Sequence, residues 1–432
     1  MKISILFILI PVLLLLGCNP PSNKKPESLK VTRQMGEFET IDALWLIWPT
    51  TDHKEGESVE KVTLAIIDAL ISDLKIVISC ADDGVLKEAK SKLSEKYPNL
   101  ENLVFRVIPS VELWARDMGP VFVEIENGQY AIADFNFNSW GYSDTLDQSS
   151  RIEEKYDEKV AELLDLPIIS STMISEGGNR ELNGKGTLVV TEAVERGRNP
   201  GMSKATMEAE YQRLLGAQKV IWLKEGLLED SHTFLGPLST ADTKKAYTVV
   251  TTNGHVDEFA RFVNDSTLLL ASVDSTELED PIAQENYRRL EENFTILSNS
   301  TDQDGNPLKI ARLPLPQTIL TTMGPGDYVY DYIKTLDYHD GSQFPDGETI
   351  TVVAPASYLN FITTNTIILG QKYWREGLPE KIKMQDAEAK RILQTVFPEK
   401  KVIMLDALAV NLGGGGLHCI SMHQPKILPN QN

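Results

Sequence analysis

Near the C-terminus, Cys419 follows Gly413–Gly416 and His418 in the stretch GGGGLHC. Glycines let the backbone take positive φ and approach a ligand closely, so a cysteine beside them is a candidate nucleophile. The plainer reading is a flexible turn next to a small buried hydrophobe. His255 and Asp257 are separated by one residue in GHVDEF. On an extended strand such a pair shares one face and enters one site. It also reads as a surface strand end, or as half of a metal site. His53, His232, His339 and His423 stand isolated in the sequence, so no metal is expected. Asp117 in WARDMGP, Glu176 in EGGNRE and Asn360 in SYLNF complete the set. Each has an ordinary alternative: an Arg–Asp surface turn, a carboxylate holding loop amides, and a turn residue.

Two carboxylates, a histidine and a cysteine suit a cationic electrophile. Guanidinium is planar, always charged, and pairs with carboxylates at two points. Asp117 and Asp257 would clamp such a group and leave its central carbon facing Cys419. A nearby cation also favours thiolate over thiol. His255 would then protonate the departing nitrogen as ammonia and deprotonate the water that resolves the intermediate.

These residues need elements to bring them together. Apolar spacing of three and four predicts amphipathic helices at 58–73, 151–164, 203–215, 281–297 and 385–397. Each is followed by a short apolar strand: KIVISC (75–80, with LVFRVIP at 103–109), LPIIS (166–170), KVIWL (219–223), KIARLPL (309–315) and KVIMLD (401–406). A polar knot follows each strand, and the knots hold the residues named above. The first four knots run into a strand–turn–strand pattern, clearest at VFVEIENGQYAIADF with its Asn127-Gly128 turn. The fifth lacks a second strand, and the early strand ALWLIWP (43–49) is available to close it. The unit is helix, strand, knot and hairpin, five times over. It predicts an α/β architecture of one closed domain with the knots at one end.

The 432 residues carry 42 Lys+Arg against 62 Asp+Glu, a net charge of −20, which disfavours nucleic acid as a partner. Only three cysteines are present, too few for a disulfide framework. Cys80, inside KIVISC, reads as core. Cys18 follows ISILFILIPVLLLLG, a run too short to span a bilayer comfortably and laid out like an export signal. The Leu15-Leu16-Gly17-Cys18 junction resembles a bacterial lipobox. The expected organisation is a signal peptide at 1–17, a Pro/Ser/Lys-rich tether at 18–36 lipidated on Cys18, and one domain over 37–432. The expected location is that of an exported lipoprotein anchored to a membrane.

Taken in order, LWLIWP, W114ARDMGP, E176GGN with N183GKGTLVVTE, R198NP, KVIWL, G254HVDEFARF, A356SYLNF and G413GGGLHC resemble the agmatine deiminase and Porphyromonas-type peptidylarginine deiminase family. The resemblance spans about residues 37–425. It implies the pentein fold, a five-bladed β/α-propeller of ββαβ-type units. It implies Cys419 as covalent nucleophile, His255 as acid/base, and Asp117 and Asp257 as the guanidinium clamp. Asn360, Glu176 and Trp114 would support and line the site, with no cofactor. The implied reaction is hydrolysis of agmatine to N-carbamoylputrescine and ammonia through an amidino-cysteine. Free or peptidyl arginine is the alternative substrate. The segments 228–253 and 323–349 are longer than the family pattern and are expected at the substrate mouth.

Two readings of other classes compete. A protease-type cysteine hydrolase would use Cys419, His255 and Asn360, but leaves Asp117 and Asp257 without a task. A surface lipoprotein that binds amines or peptides would need no turnover.

Overall fold

The computed structural model describes residues 29–51, 58–97, 101–242 and 244–427. Cys18 and the expected signal at 1–17 lie outside the described residues. Among these residues there are six sheets, and five of them share one pairing pattern. In each, two strands pair antiparallel, through a hairpin in four of the five, and a helical crossover adds a third strand parallel. The trios are Val121–Ile125, Tyr130–Asn136 and Ile168–Ile174; Glu181–Leu182, Thr187–Thr191 and Lys219–Leu223; Ala260–Phe262, Thr267–Ser272 and Lys309–Pro314; and Ile362–Thr363, Ile367–Lys372 and Lys401–Asp406.

The fifth trio joins the two ends of the chain. Ala43–Ile47 pairs antiparallel with Ser421–Gln424 and parallel with Lys75–Cys80, which also carries Leu103–Val107. The early strand therefore closes the last unit, as its sequence suggests. Trp45 seals the seam, its indole N–H donating to Gln424 Oε1 at 2.7 Å. Each trio presents buried aliphatic residues to its crossover helix, and the strands are short because each spans only one layer.

The five predicted helices are these crossovers, with shifted ends. Val59–Leu70 starts where the Ser58 side chain caps Lys61 N, and it buries Val59, Val62, Ile66, Ile67 and Leu70. The others are Lys204–Leu215, Pro281–Ser298 and Glu380–Val396, together with the expected helix at 151–164, which is in fact two. Gln148–Glu154 and Tyr156–Leu164 are separated at Lys155, whose backbone leaves the helical region. A further helix, Asp83–Lys96, was not apparent in the sequence because it buries only Ala89 and Leu93. The sixth sheet, Leu238–Ser239, Lys245–Thr248, Ile350–Ala354 and Ile319–Met323, is built from two strands of the first lengthened segment and the two strands that flank the second.

The tether boundary needs correction. Val31–Gln34 is a strand paired with Val121–Ile125, so residues 31–36 belong to the folded body. No helix of the described residues is long and apolar enough to cross a membrane.

Leu44 lies fully buried at the centre of the seam. Leu44→Ala is expected to lower unfolding stability by about 2–5 kcal/mol, read from urea denaturation.

Candidate active site

All five knots stand immediately before the first strand of a trio, and all five send groups into one buried cluster. Asp117 sits in the single turn Ala115–Met118. Its Oδ1 accepts from Gly178 N at 2.8 Å and its Oδ2 accepts from Trp140 Nε1 at 2.8 Å. Trp140 holds φ +56°, rare for a bulky residue, and its carbonyl takes a 2.8 Å contact from His232 Nε2. The strained backbone thus aims the indole at Asp117.

His255 and Asp257 do converge, but not on a strand. His255 caps the 3-10 turn Val256–Glu258, which brings the two side chains together within one tight turn. Asp230 fixes that turn by accepting from Thr252 N, Gly254 N and His255 N. The His255 ring lies between carboxylates: Nδ1 is 3.6 Å from Asp117 Oδ1, and Nε2 is 3.4 Å from Glu176 Oε2. Burial alone would strip its proton, but Asp117, Glu176 and Asp257 together outweigh burial and raise it to about 9. Glu176 also meets Arg198 Nε at 2.6 Å. Burial opposes its charge, yet Arg198 and His255 hold it down at about 2.

Gly178 permits this convergence. A Cβ there would lie 2.5 Å from His255 Nδ1 and 2.9 Å from Asp117 Oδ1, so no other residue fits without displacing the pair. Gly415 plays the same part beside the thiol, where a Cβ would lie 2.8 Å from the Trp114 ring and 2.9 Å from Cys419 Sγ.

Cys419 Sγ receives Asn360 Nδ2 at 3.1 Å and lies 3.6 Å from Asp257 Oδ2 and 3.7 Å from Glu258 Oε1. Asn360 is tied in turn to Glu258 at 2.9 Å and to His418 N at 2.8 Å. Burial, then Asp257, Glu258 and Asp117, push the Cys419 thiol well above its usual range. Without a cation the sulfur is therefore a thiol. Cys80 is buried and its thiol is raised to about 11, mainly by burial, as suits a core residue.

Cys419, Asp117 and Trp114 line a cavity of about 450 Å³. Its walls include Trp140, Tyr142, Tyr328 and Tyr332, and no Lys, Arg or His is among the described residues that line it. Val250 and Thr252 of one lengthened segment and Tyr328 and Tyr332 of the other border it, as expected. His255, Asp257, Glu176 and Asn360 are not on the wall and lie behind Asp117 and Cys419.

The sequence reading missed the parts played by Glu258, Trp140, Gly178 and Glu37, and it treated His423 as isolated. His423 in fact lies with His418 around Glu37. Those three groups are close enough to share a cation, but Arg116 and Arg261 also bind Glu37 and occupy the place with positive charge. The other compact donor group is Asp257, Glu258 and Cys419, of which Cys419 lines the cavity.

A buried thiol, an imidazole and clustered carboxylates around an aromatic cavity define a cation-binding site of the cysteine-hydrolase type. The sequence profile of the Porphyromonas-type peptidyl-arginine deiminase family matches residues 33–235 and 241–425. An agmatine deiminase of Pseudomonas aeruginosa (strain LESB58) is 29% identical over 413 residues, 94% of this chain and 98% of the relative. The structure of an agmatine deiminase of Enterococcus faecalis aligns with TM-score 0.70 at 23% identity, covering 93% of this chain and 97% of that one. An agmatine deiminase of C. jejuni with substrate bound aligns with TM-score 0.63 at 17% identity, covering 92% and 97%. The chain belongs to the Porphyromonas-type peptidyl-arginine deiminase family.

His255 has its raised value only in the folded state. Its stabilisation is therefore complete below about 6.5 and is lost as pH rises through about 9. The stability difference between wild type and His255→Gln, from urea unfolding, is expected to be largest at pH 6 and to shrink towards pH 10.

Proposed function

We propose that this protein hydrolyses agmatine to N-carbamoylputrescine and ammonia. One observation carries the reading: beside Cys419, Asp257 Oδ1 and Glu258 Oε2 are buried without hydrogen-bond partners among the described residues. Unsatisfied acceptors beside a thiol are costly unless a ligand completes them, and a guanidinium supplies planar N–H donors and charge together. Asp117 and Asp257 clamp it, and its central carbon faces Cys419. The arriving cation offsets the carboxylates that hold the thiol protonated, and Asp257 Oδ2 is the nearest carboxylate acceptor for that proton.

Thiolate attack forms the S–C bond. His255, charged at neutral pH, gives its proton to one nitrogen, and the C–N bond breaks with loss of ammonia. The remaining amidino-cysteine is attacked by water, which His255 deprotonates. The C–S bond then breaks, releasing the ureido product and restoring the thiol. Asn360 supports the sulfur, Glu176 holds His255, and Trp114 forms the wall beside them.

The far end of the cavity selects among guanidines. Glu112, Asp147 and Glu153 line it. Burial raises Glu112 to about 7 and Glu153 to about 8, so an incoming ammonium draws both towards the charged form. The α-carboxylate of free arginine finds no Lys, Arg or His among the described residues of this wall to pair with. Agmatine has an amine at that end and no carboxylate.

The five like-paired sheets and the convergence of their knots support a five-bladed β/α-propeller as the architecture. The run at 3–16 and the Gly17–Cys18 junction support export and lipid anchoring.

Ammonia release is expected from agmatine, at a kcat/KM at least about tenfold above that from arginine or arginyl peptides. Cys419→Ala should abolish it. Activity that survives this change removes the mechanism, and a preference for peptides removes the substrate assignment. Cys18→Ser is expected to move the protein from the membrane to the soluble fraction of the cells that make it.

A further inference from the structure

Behind the cavity floor runs a buried row of three groups. Asp257 Oδ2 lies 2.7 Å from His418 Nδ1, and His418 Nε2 lies 2.7 Å from Glu37 Oε2. His418 and Asp257 are fully buried. Glu37 reaches them from the turn after Val31–Gln34. Arg33 braces that turn by binding Glu39 at 2.8 Å, while Glu39 accepts from Gly36 N at 2.8 Å. Arg116 and Arg261 grip Glu37 from the other side. Arg261 in turn donates to Leu359 O and Phe361 O, on either side of Asn360.

The two oxygens of Asp257 are thereby made unequal. Oδ2 holds His418 and faces Cys419 Sγ at 3.6 Å, while Oδ1 is buried with no hydrogen-bond partner. A carboxylate held at one oxygen cannot rotate, and its free oxygen keeps one direction. We propose that Glu37 and His418 are positioning residues: Glu37 anchors His418, and His418 locks Asp257 so that Oδ1 is presented to the substrate's guanidinium. The proposal rests on the deiminase reading above.

The protonation of the row follows from its contacts. Burial and the Arg116 and Arg261 guanidiniums press His418 towards the neutral ring. Against burial, the same guanidiniums and the neighbouring rings hold Glu37 far down, and His418 and His255 lower Asp257. Both ring nitrogens of His418 are engaged by carboxylates at 2.7 Å, and neither is left for Cys419. His418 cannot serve as the base for Cys419 even though it is the adjacent residue.

Steady-state kinetics with agmatine on the full-length protein test this. His418→Ala is expected to lower kcat/KM by roughly 10²-fold, chiefly through KM, because the clamp loses its aim while thiol and acid remain. His418→Asn can return an N–H to Asp257 and is expected to recover at least about tenfold of that loss. Glu37→Gln keeps the contact but removes its charge, and should fall between wild type and His418→Ala. The proposal is overturned if His418→Ala stays within about threefold of wild type, or if His418→Asn is no better than His418→Ala. A crystal structure of His418→Ala gives a readout independent of turnover. The Asp257 carboxylate should be rotated away from Cys419, and an unmoved carboxylate overturns the proposal. If wild type releases no ammonia from agmatine, arginine or arginyl peptides, the proposed function fails, and the crystal structure still decides the role of His418.

Discussion

The structure is organised around a buried excess of negative charge. Asp117, Glu176, Asp257 and Glu258 lie within one small volume, all withdrawn from water. Charges in such a setting persist only when paired and hydrogen-bonded. Arg198 answers Glu176, and His418 answers Asp257. His255 is shared between Asp117 and Glu176. Glu258 has no cation beside it and is pushed well above its usual range by burial, Asp257 and Asp230. Under the proposed function the substrate's guanidinium supplies the cation that Glu258 and Cys419 lack.

That charge balance explains several features that otherwise look unrelated. Arg116 and Arg261 are buried, which is rare for arginine, because they neutralise Glu37 and Glu181 beneath the floor. The cavity wall is aromatic and carries carboxylates, which admits an organic cation and disfavours an anion. His232 is buried next to Arg198, and burial together with that guanidinium lowers it to about 3. A neutral ring there orients Trp140 without adding a charge that would upset the balance.

How much of this was legible in the sequence depended on the range of each interaction. The crossover helices and their strands follow local periodicity, and KIVISC, KVIWL and KVIMLD are strands over the expected residues. The closing role of ALWLIWP was legible because a hairpin-lacking unit needs a partner. The turn carrying His255 and Asp257 was misread, because alternation alone does not separate a strand from a single 3-10 turn pinned by Asp230. Glu37 was invisible for a different reason. It lies in a Pro/Ser/Lys-rich approach that resembles a linker, and its partners are 79 or more residues away. Gly178 carries no chemistry of its own, and its importance appears only once three side chains are seen to converge on it.

The seam between Ala43–Ile47 and Ser421–Gln424 has a consequence for how the molecule comes into being. Cys419 is attached to the last strand of the described chain, two residues before Ser421. A ribosome or a translocation channel delivers the N-terminal strand hundreds of residues before its partner. Until that partner arrives, Trp45 has no Gln424 to bind, and the carboxylates of the early knots have no sulfur to face. The chain can fold much of its scaffold while it is being made, but its reactive centre forms only at completion. A chain that stops short, from a frameshift or a late proteolytic cut, lacks the thiol as well as the seam. Truncated copies thus lack Cys419 together with the strand that closes the seam.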